Sequence, residues 1–187
     1  MVRIIVFSGS SRPESYNRRL AAIAARGLEA RGAEVVAINL ADFPLPFADE
    51  DGRAHIPREA QRLNEIIQGG HGLFIASPEY NSGYPALVKN ALDWVSMAKK
   101  GGPGLAGKVV ALGAASTGAR GGYRALTQFR AVLELGFGAL VIPEMASVPM
   151  AAKNLPDDRA MPDEALTKAL DQCLDRLLRE ASHIARS

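Results

Sequence analysis

The chain has 187 residues, 48 % of them hydrophobic and 22 % charged, with a net charge of +2 from 22 Lys+Arg and 20 Asp+Glu. That composition belongs to one globular domain, too apolar for a disordered chain, too short for two comfortable cores, and without the roughly 20-residue apolar run that spans a bilayer. A single cysteine, Cys173, excludes a disulfide framework or cysteine metal knuckle, and scattered basic residues without an aromatic platform argue against nucleic acid.

The first element is an apolar strand at 2–7 that runs into Ser8-Gly9-Ser10-Ser11-Arg12-Pro13-Glu14-Ser15-Tyr16-Asn17. A buried strand feeding a hydroxyl-rich loop that opens a helix is an anion cradle. Backbone N–H groups and the positive end of the helix dipole converge there. Ser10, Ser11 and Ser15 add hydroxyls, Asn17 an amide, and Arg12 a permanent charge suited to phosphate. A plain turn capped by Ser15 or Asn17 needs neither Arg12 nor three serines. The following helix carries Leu20, Ile23, Ala24 and Leu28 at spacings of three and four and stops at Arg31-Gly32.

Further apolar runs at 34–40, 72–77, 108–115 and 138–143 lack alternation, as strands covered on both faces do. Helical patterns separate them: Ala60, Leu63, Ile66 and Ile67; then Pro85 with Leu87, Val88, Ala91, Leu92 and Val95; then Leu126, Phe129, Val132 and Leu133. A last helix starts near Asp163 and places Cys173 inside its apolar stripe, as a packed core thiol. His55, His71 and His183 have no metal-type partner at short spacing. Gly102-Pro103-Gly104-Leu105-Ala106-Gly107-Lys108 spells both GxGxxG and GxxxxGK, but a helix precedes it and a strand follows, the reverse of either motif. Two long loops remain, 41–57 with an acidic tip at Asp49-Glu50-Asp51, and 143–162; neither names a substrate.

Alternating strands and helices give an α/β fold: a five-stranded parallel sheet in the flavodoxin-like order 2-1-3-4-5, helices on both faces, over a single domain spanning 1–187. Ligands in such sheets bind beyond the carboxyl ends of the strands, at the switch between strands 1 and 3. Three loops converge there: 8–17, Pro78-Glu79-Tyr80-Asn81-Ser82-Gly83, and Ser116-Thr117-Gly118-Ala119-Arg120-Gly121-Gly122. One offers phosphate chemistry, one an aromatic among polar residues, one glycine for close backbone approach. A mononucleotide with a flat heterocycle uses all three.

Gly9-Ser10-x-Arg12-x-x-Ser15-x-Asn17, Pro78-Glu79-Tyr80-Asn81, Lys89-Asn90-Ala91-Leu92-Asp93-Trp94 and Ser116-x-Gly118-x-x-Gly121-Gly122 together resemble the flavodoxin-like NADPH-dependent FMN reductases, which include quinone, chromate and azo reductases. The resemblance implies bound FMN, with its phosphate in the loop of Ser10, Ser11, Arg12, Ser15, Tyr16 and Asn17. It places Pro78, Glu79, Tyr80 and Asn81 along the isoalloxazine edge, met by main-chain N–H groups, and Ser116 and Gly118 near the ring. It implies NADPH or NADH as a transient hydride donor and a small-molecule acceptor such as a quinone. No histidine, cysteine or carboxylate pair is arranged as acid, base or nucleophile, which fits chemistry carried by a flavin. Glu14, an acid beside the phosphate loop, departs from the anion logic.

In that family the helix around 89–94 tends to lie between subunits. Leu87, Val88, Leu92, Trp94, Val95 and Met97 offer more apolar surface than one sheet covers, so a homodimer or homotetramer is expected. The cytoplasm is the expected compartment, since the N-terminus lacks a secretory layout. Two other readings stay open: a flavodoxin-type carrier serving protein partners, against which a net charge of +2 speaks, and a protein of this fold for another nucleotide.

Overall fold

The computed structural model describes residues 1–49, 51, 55–98 and 104–186. Strands β1 (Arg3–Ser8), β2 (Glu34–Asn39), β3 (Gly72–Ala76), β4 (Val109–Ala115) and β5 (Leu140–Val148) form one sheet in the order β2-β1-β3-β4-β5, every neighbour parallel. The order is the one the alternating pattern implies. Each strand splits its side chains between two cores. Ile4, Val6, Phe74 and Ala111 face α1 (Tyr16–Ala30) and α6 (Glu164–Ile184), whereas Ile5, Phe7, Leu73, Ile75 and Leu112 face α2 (Arg58–Gln68), α3 (Ala86–Met97) and α4 (Tyr123–Ala131). Double coverage is why the central strands read as unbroken apolar runs. Cys173 packs in the first core, and burial pushes its thiol up to about 12, so it is inert at neutral pH.

The fifth strand departs from the sequence reading. It does not end at Pro143; the register slips between Val110 and Leu112 of β4, and the strand continues to Val148. A proline cannot donate to a ladder, but an edge strand accommodates it at a bulge. The supposed loop 143–162 is correspondingly shorter and contains the helical turn α5 (Ala151–Asn154). Helix α4 passes into a π-helical turn at Val132–Gly136.

The apolar surplus of α3 is spent within the chain. Trp94 Nε1 donates to the carbonyl of Pro46 at 2.7 Å, Asn90 Nδ2 to the same carbonyl at 2.8 Å, and Ala48 N–H to Asn90 Oδ1 at 2.8 Å. Trp94 packs with Ala60 and Ala98, beneath Leu45, Ala48 and Ile56. Trp94 is thus the seat of the 45–48 segment, while Val88, Leu92 and Val95 are buried in the core facing the sheet. Glu50 of the acidic tip and residues 102–103 of the GxGxxG look-alike lie outside the described residues. Lys108, which ends that look-alike, donates to the carbonyls of Gln68 and Gly70 at 2.9 and 2.6 Å and so closes the C-terminus of α2.

Trp94→Phe removes the donor to Pro46 and trims the buried indole to a smaller ring. The expected cost is at least about 1 kcal/mol of unfolding free energy, with faster proteolysis within 41–49. Urea melts combined with limited proteolysis check this, and an unchanged cleavage rate would contradict the seat described for the loop.

Candidate cofactor site

Helix α1 leaves β1, crosses β3 and docks on the end of β4 through one side chain. Asn17 Nδ2 donates to the Ala115 carbonyl at 2.9 Å, and Ala115 N–H donates to Asn17 Oδ1 at 2.9 Å. Asn17 is buried, so this amide pair replaces water for four polar groups at once. The sequence reading offered the Asn17 amide to an anion; the structure gives it another partner and a positional role.

The loop before α1 braces itself. Ser10 N–H donates to Ser8 Oγ at 3.2 Å, Arg12 N–H to Ser10 Oγ at 3.4 Å, and Ser15 N–H to the Arg12 carbonyl at 3.2 Å. Ser15 is the N-cap, accepting from Asn17 N–H at 3.2 Å. The N–H groups of Ser11 and Tyr16, the hydroxyl hydrogens of Ser10 and Ser15, and the Arg12 guanidinium have no acceptor among the described residues. A turn of free donors at a helix N-terminus, with one guanidinium beside it, is complementary to a phosphomonoester. Glu14 does not oppose this. It pairs with Arg19 at 3.1 Å, and Arg19 also donates to the carbonyls of Leu155 and Pro156 and lies 5.2 Å above the Tyr16 ring.

The second loop is a tight hairpin. Tyr80 and Gly83 exchange both backbone hydrogen bonds at 2.9 Å, and Asn81 and Ser82 hold φ of 49° and 69°. Two successive left-handed residues make a type I′ turn. Asn81 suits it, while Ser82 is strained there. Tyr80, half exposed, stands on the wall of the cleft.

The third loop is pinned from the far side. Ser116 N–H donates to the Val148 carbonyl at 3.1 Å, Ala151 N–H to the Ser116 carbonyl at 3.0 Å, and Gly118 N–H to Ser116 Oγ at 3.2 Å. Gly121 and Gly122 have φ of 59° and 85°; a Cβ at Gly121 would sit 2.5 Å from Ser147 Oγ, and one at Gly122 would sit 2.7 Å from Ala114 Cβ. Only glycine fits either place.

Glu79 joins the second loop to the third. Its carboxylate accepts from Arg124 Nε at 3.1 Å and from Ala125 N–H at 3.2 Å, which caps the first turn of α4. The Arg124 hydrogen bond holds this carboxyl below the usual carboxylate range, so Glu79 stays ionised at neutral pH. Arg124 was missed from the sequence. Its signal was there: a cation in a first helical turn is misplaced against the dipole unless something pairs it.

Ser10, Arg12, Ser15, Tyr16, Asn17, Pro78, Glu79, Tyr80 and Ser116 line one cleft of about 230 Å³, joined by Glu14, Ala115 and Thr117. Ser11, Asn81 and Gly118 belong to the same loops but not to its lining. Roomier grooves lie between α1 and β2, about 280 Å³, and beside β5, about 450 Å³, but neither includes the cradle of free donors. The donor set fits FMN at its phosphate. Among the described residues no cluster of His, Cys, Asp and Glu could hold a metal ion, and no helix is long and apolar enough to cross a membrane.

A family model for NADPH-dependent FMN reductase matches residues 2–153. The chain belongs to that family. FMN and a nicotinamide donor are thereby the cofactors the family implies. Among its relatives is the quinone reductase of Escherichia coli strain K12, 33 % identical over 71 % of this chain and 69 % of its own length. The NADPH-dependent FMN reductase ArsH of Acidithiobacillus ferrooxidans is 28 % identical over 95 % of this chain and 72 % of its own. A solved structure of the flavoenzyme NAD(P)H:(acceptor) oxidoreductase FerB from Paracoccus denitrificans superposes with a TM-score of 0.84, at 26 % identity and 98 % coverage of both chains.

The Glu79 bridge has a definite pH dependence. A carboxyl whose pKa is depressed on folding stabilises above its unfolded value, about 4.3, and loses that contribution as pH falls through the folded value. Glu79→Gln keeps an acceptor but drops the charge. Because Arg124 is half exposed, its loss is worth about 1 kcal/mol or less, a Tm drop of about 2–4 °C at pH 7. The gap between parent and variant is expected to stay constant down to about pH 5 and to close in stronger acid. A gap that widens on acidification would contradict the bridge.

Proposed function

We propose that this chain is an FMN-dependent NAD(P)H oxidoreductase that takes hydride from NADPH and delivers it to a small flat acceptor such as a quinone. What carries the reading is one open cleft with a phosphate cradle at one end and an aromatic wall at the other. Bound FMN would supply the two-electron chemistry. The chain's own part is to bind and orient. Arg12, the Tyr16 N–H and the Ser10 and Ser15 hydroxyls, all on the cleft lining, would hold the phosphate. The N–H groups of Glu79 and Thr117 lack acceptors among the described residues and belong to cleft-lining residues, so they are available to an electron-rich ring edge. No histidine or cysteine lines the cleft, and its one carboxylate near the ring end, Glu79, is tied to Arg124. Among the described residues the cleft therefore offers neither a histidine, a cysteine nor a free carboxylate near the ring end for proton transfer. With a single mouth, donor and acceptor must take turns. The similarity to the quinone reductase of Escherichia coli supports quinones as the acceptor class.

Purified protein supplied with FMN is expected to oxidise NADPH with a soluble quinone in parallel-line, ping-pong initial-rate patterns. Arg12→Ala removes a charge-assisted contact worth roughly 1.5–3 kcal/mol, so FMN affinity should fall by about one to two powers of ten in a fluorescence titration. Intersecting kinetic lines would contradict the shared cleft. Reduction of a protein partner but of no small acceptor would replace the enzyme by an electron carrier.

A further inference from the structure

The mouth of the cleft carries more positive charge than its scaffold uses. Arg12 stands at the phosphate end, and Arg124 is tied to Glu79. Two further cations flank the third loop. Arg120 and Lys153 are exposed, and neither side chain has a hydrogen-bond or ion-pair partner among the described residues. The acids of the three loops and of residues 150–159 do not answer them. Glu79 is bound to Arg124, Glu14 to Arg19, and Asp157 to Arg159 at 2.6 Å, while Asp158 lies in the field of Arg159 as well.

The backbones that carry these two cations are fixed. Gly121 N–H donates to the Gly118 carbonyl at 3.4 Å, which closes a turn with Ala119 and Arg120 at its corner. The Arg120 carbonyl accepts from Ser147 Oγ at 3.1 Å and from Tyr123 N–H at 3.0 Å. Lys153 belongs to α5, which is docked on the same loop. Met150 N–H donates to the Gly118 carbonyl at 3.2 Å, and Ala151 N–H to the Ser116 carbonyl. Both cations thus sit on one braced unit, of which Ser116 and Thr117 line the cleft.

We propose that Arg120 and Lys153 hold the 2′-phosphate of NADPH and make this cleft select NADPH over NADH. The inference rests on the reading of the cleft as that of an NAD(P)H oxidoreductase. The phosphate of FMN belongs at the Arg12 end, so a second cationic spot at the same mouth fits a second anion. The nucleotide that visits this mouth brings one. NADH and NADPH differ only at the 2′ position of the adenosine ribose, a hydroxyl in one and a phosphomonoester of about −1.5 to −2 charge in the other. A site for the hydroxyl uses a free carboxylate as acceptor, and a site for the phosphate uses an arginine. This rim offers the second and, among the described residues, not the first. A forked guanidinium and an ammonium together match the dianion in charge and in donors. The pyrophosphate, common to both nucleotides, carries only a single charge on each phosphate and matches the pair less well.

Two probes isolate the 2′-phosphate. 2′,5′-ADP carries it and 5′-AMP lacks it, while both share the adenosine and the 5′-phosphate. In isothermal titration of the FMN-saturated protein, 2′,5′-ADP is expected to bind about tenfold or more tightly than 5′-AMP. Arg120→Ala combined with Lys153→Ala is expected to erase that gap. In initial-rate assays the ratio of kcat/KM for NADPH to that for NADH should fall about tenfold in Arg120→Ala, through KM, and Arg120→Lys should restore part of it. Both side chains are exposed, so the variants keep the fold. The proposal falls if 2′,5′-ADP binds no tighter than 5′-AMP, or if the double variant keeps the gap. It falls equally if NADH loses as much kcat/KM as NADPH, which would assign the cations to the shared pyrophosphate. A protein that oxidises neither nucleotide would refute the oxidoreductase reading, and the two probes would still decide this one.

Discussion

The carboxyl end of this sheet depends on one buried amide. Asn17, in the first turn of α1, meets the last residue of β4 with both its donor and its acceptor. A helix N-terminus is a useful anion site only if its direction is fixed, because the dipole and the free N–H groups act within about one turn. Packing of Leu20, Ala24 and Leu28 fixes the helix axis and the face it turns to the sheet, but not the direction and position of its first turn. The amide pair supplies those, and the loop of Ser10 to Ser15 then closes on itself with its remaining donors turned to the cleft. A phosphate cradle therefore exists before any ligand arrives, and binding need not order it.

The other two loops are held by the same logic with different chemistry. The Glu79 carboxylate caps α4 and pairs with Arg124, while Ser116 is clamped between Val148 and Ala151. In each case side chains and carbonyls that the sequence would offer to a ligand are spent on the scaffold. What the cleft keeps available is main-chain N–H, the Ser10 and Ser15 hydroxyl hydrogens, the Arg12 guanidinium and the face of Tyr80. That division explains why a reductase of this family needs so few reactive side chains. The protein is a rigid holder, and the redox chemistry belongs to what it holds.

Much of this was legible in the sequence, for identifiable reasons. Unalternating runs such as Ile4-Ile5-Val6-Phe7 betray strands covered on both faces, and the strand order follows from connection rules. The loop of three serines and Arg12 announces an anion because no structural need accounts for it. What escaped is of one kind: contacts between residues far apart in the chain. Nothing local pairs Asn17 with Ala115, Glu79 with Arg124, or Trp94 with Pro46. Trp94 consequently reads as spare surface when a loop nearly fifty residues upstream covers it. Pro143 misled for a different reason. A proline is a reliable strand breaker inside a sheet, and only the tertiary position of β5 at an edge makes it tolerable.

Isothermal titration of Asn17→Ala with FMN tests the account most directly. The variant leaves Arg12, every serine and every main-chain donor in place and removes only the tie to Ala115. Loss of such a buried pair is worth about 1–3 kcal/mol, so a folded variant should bind FMN roughly tenfold or more weakly. A folded Asn17→Ala protein that binds FMN as tightly as the parent would show that the cradle does not depend on this anchor.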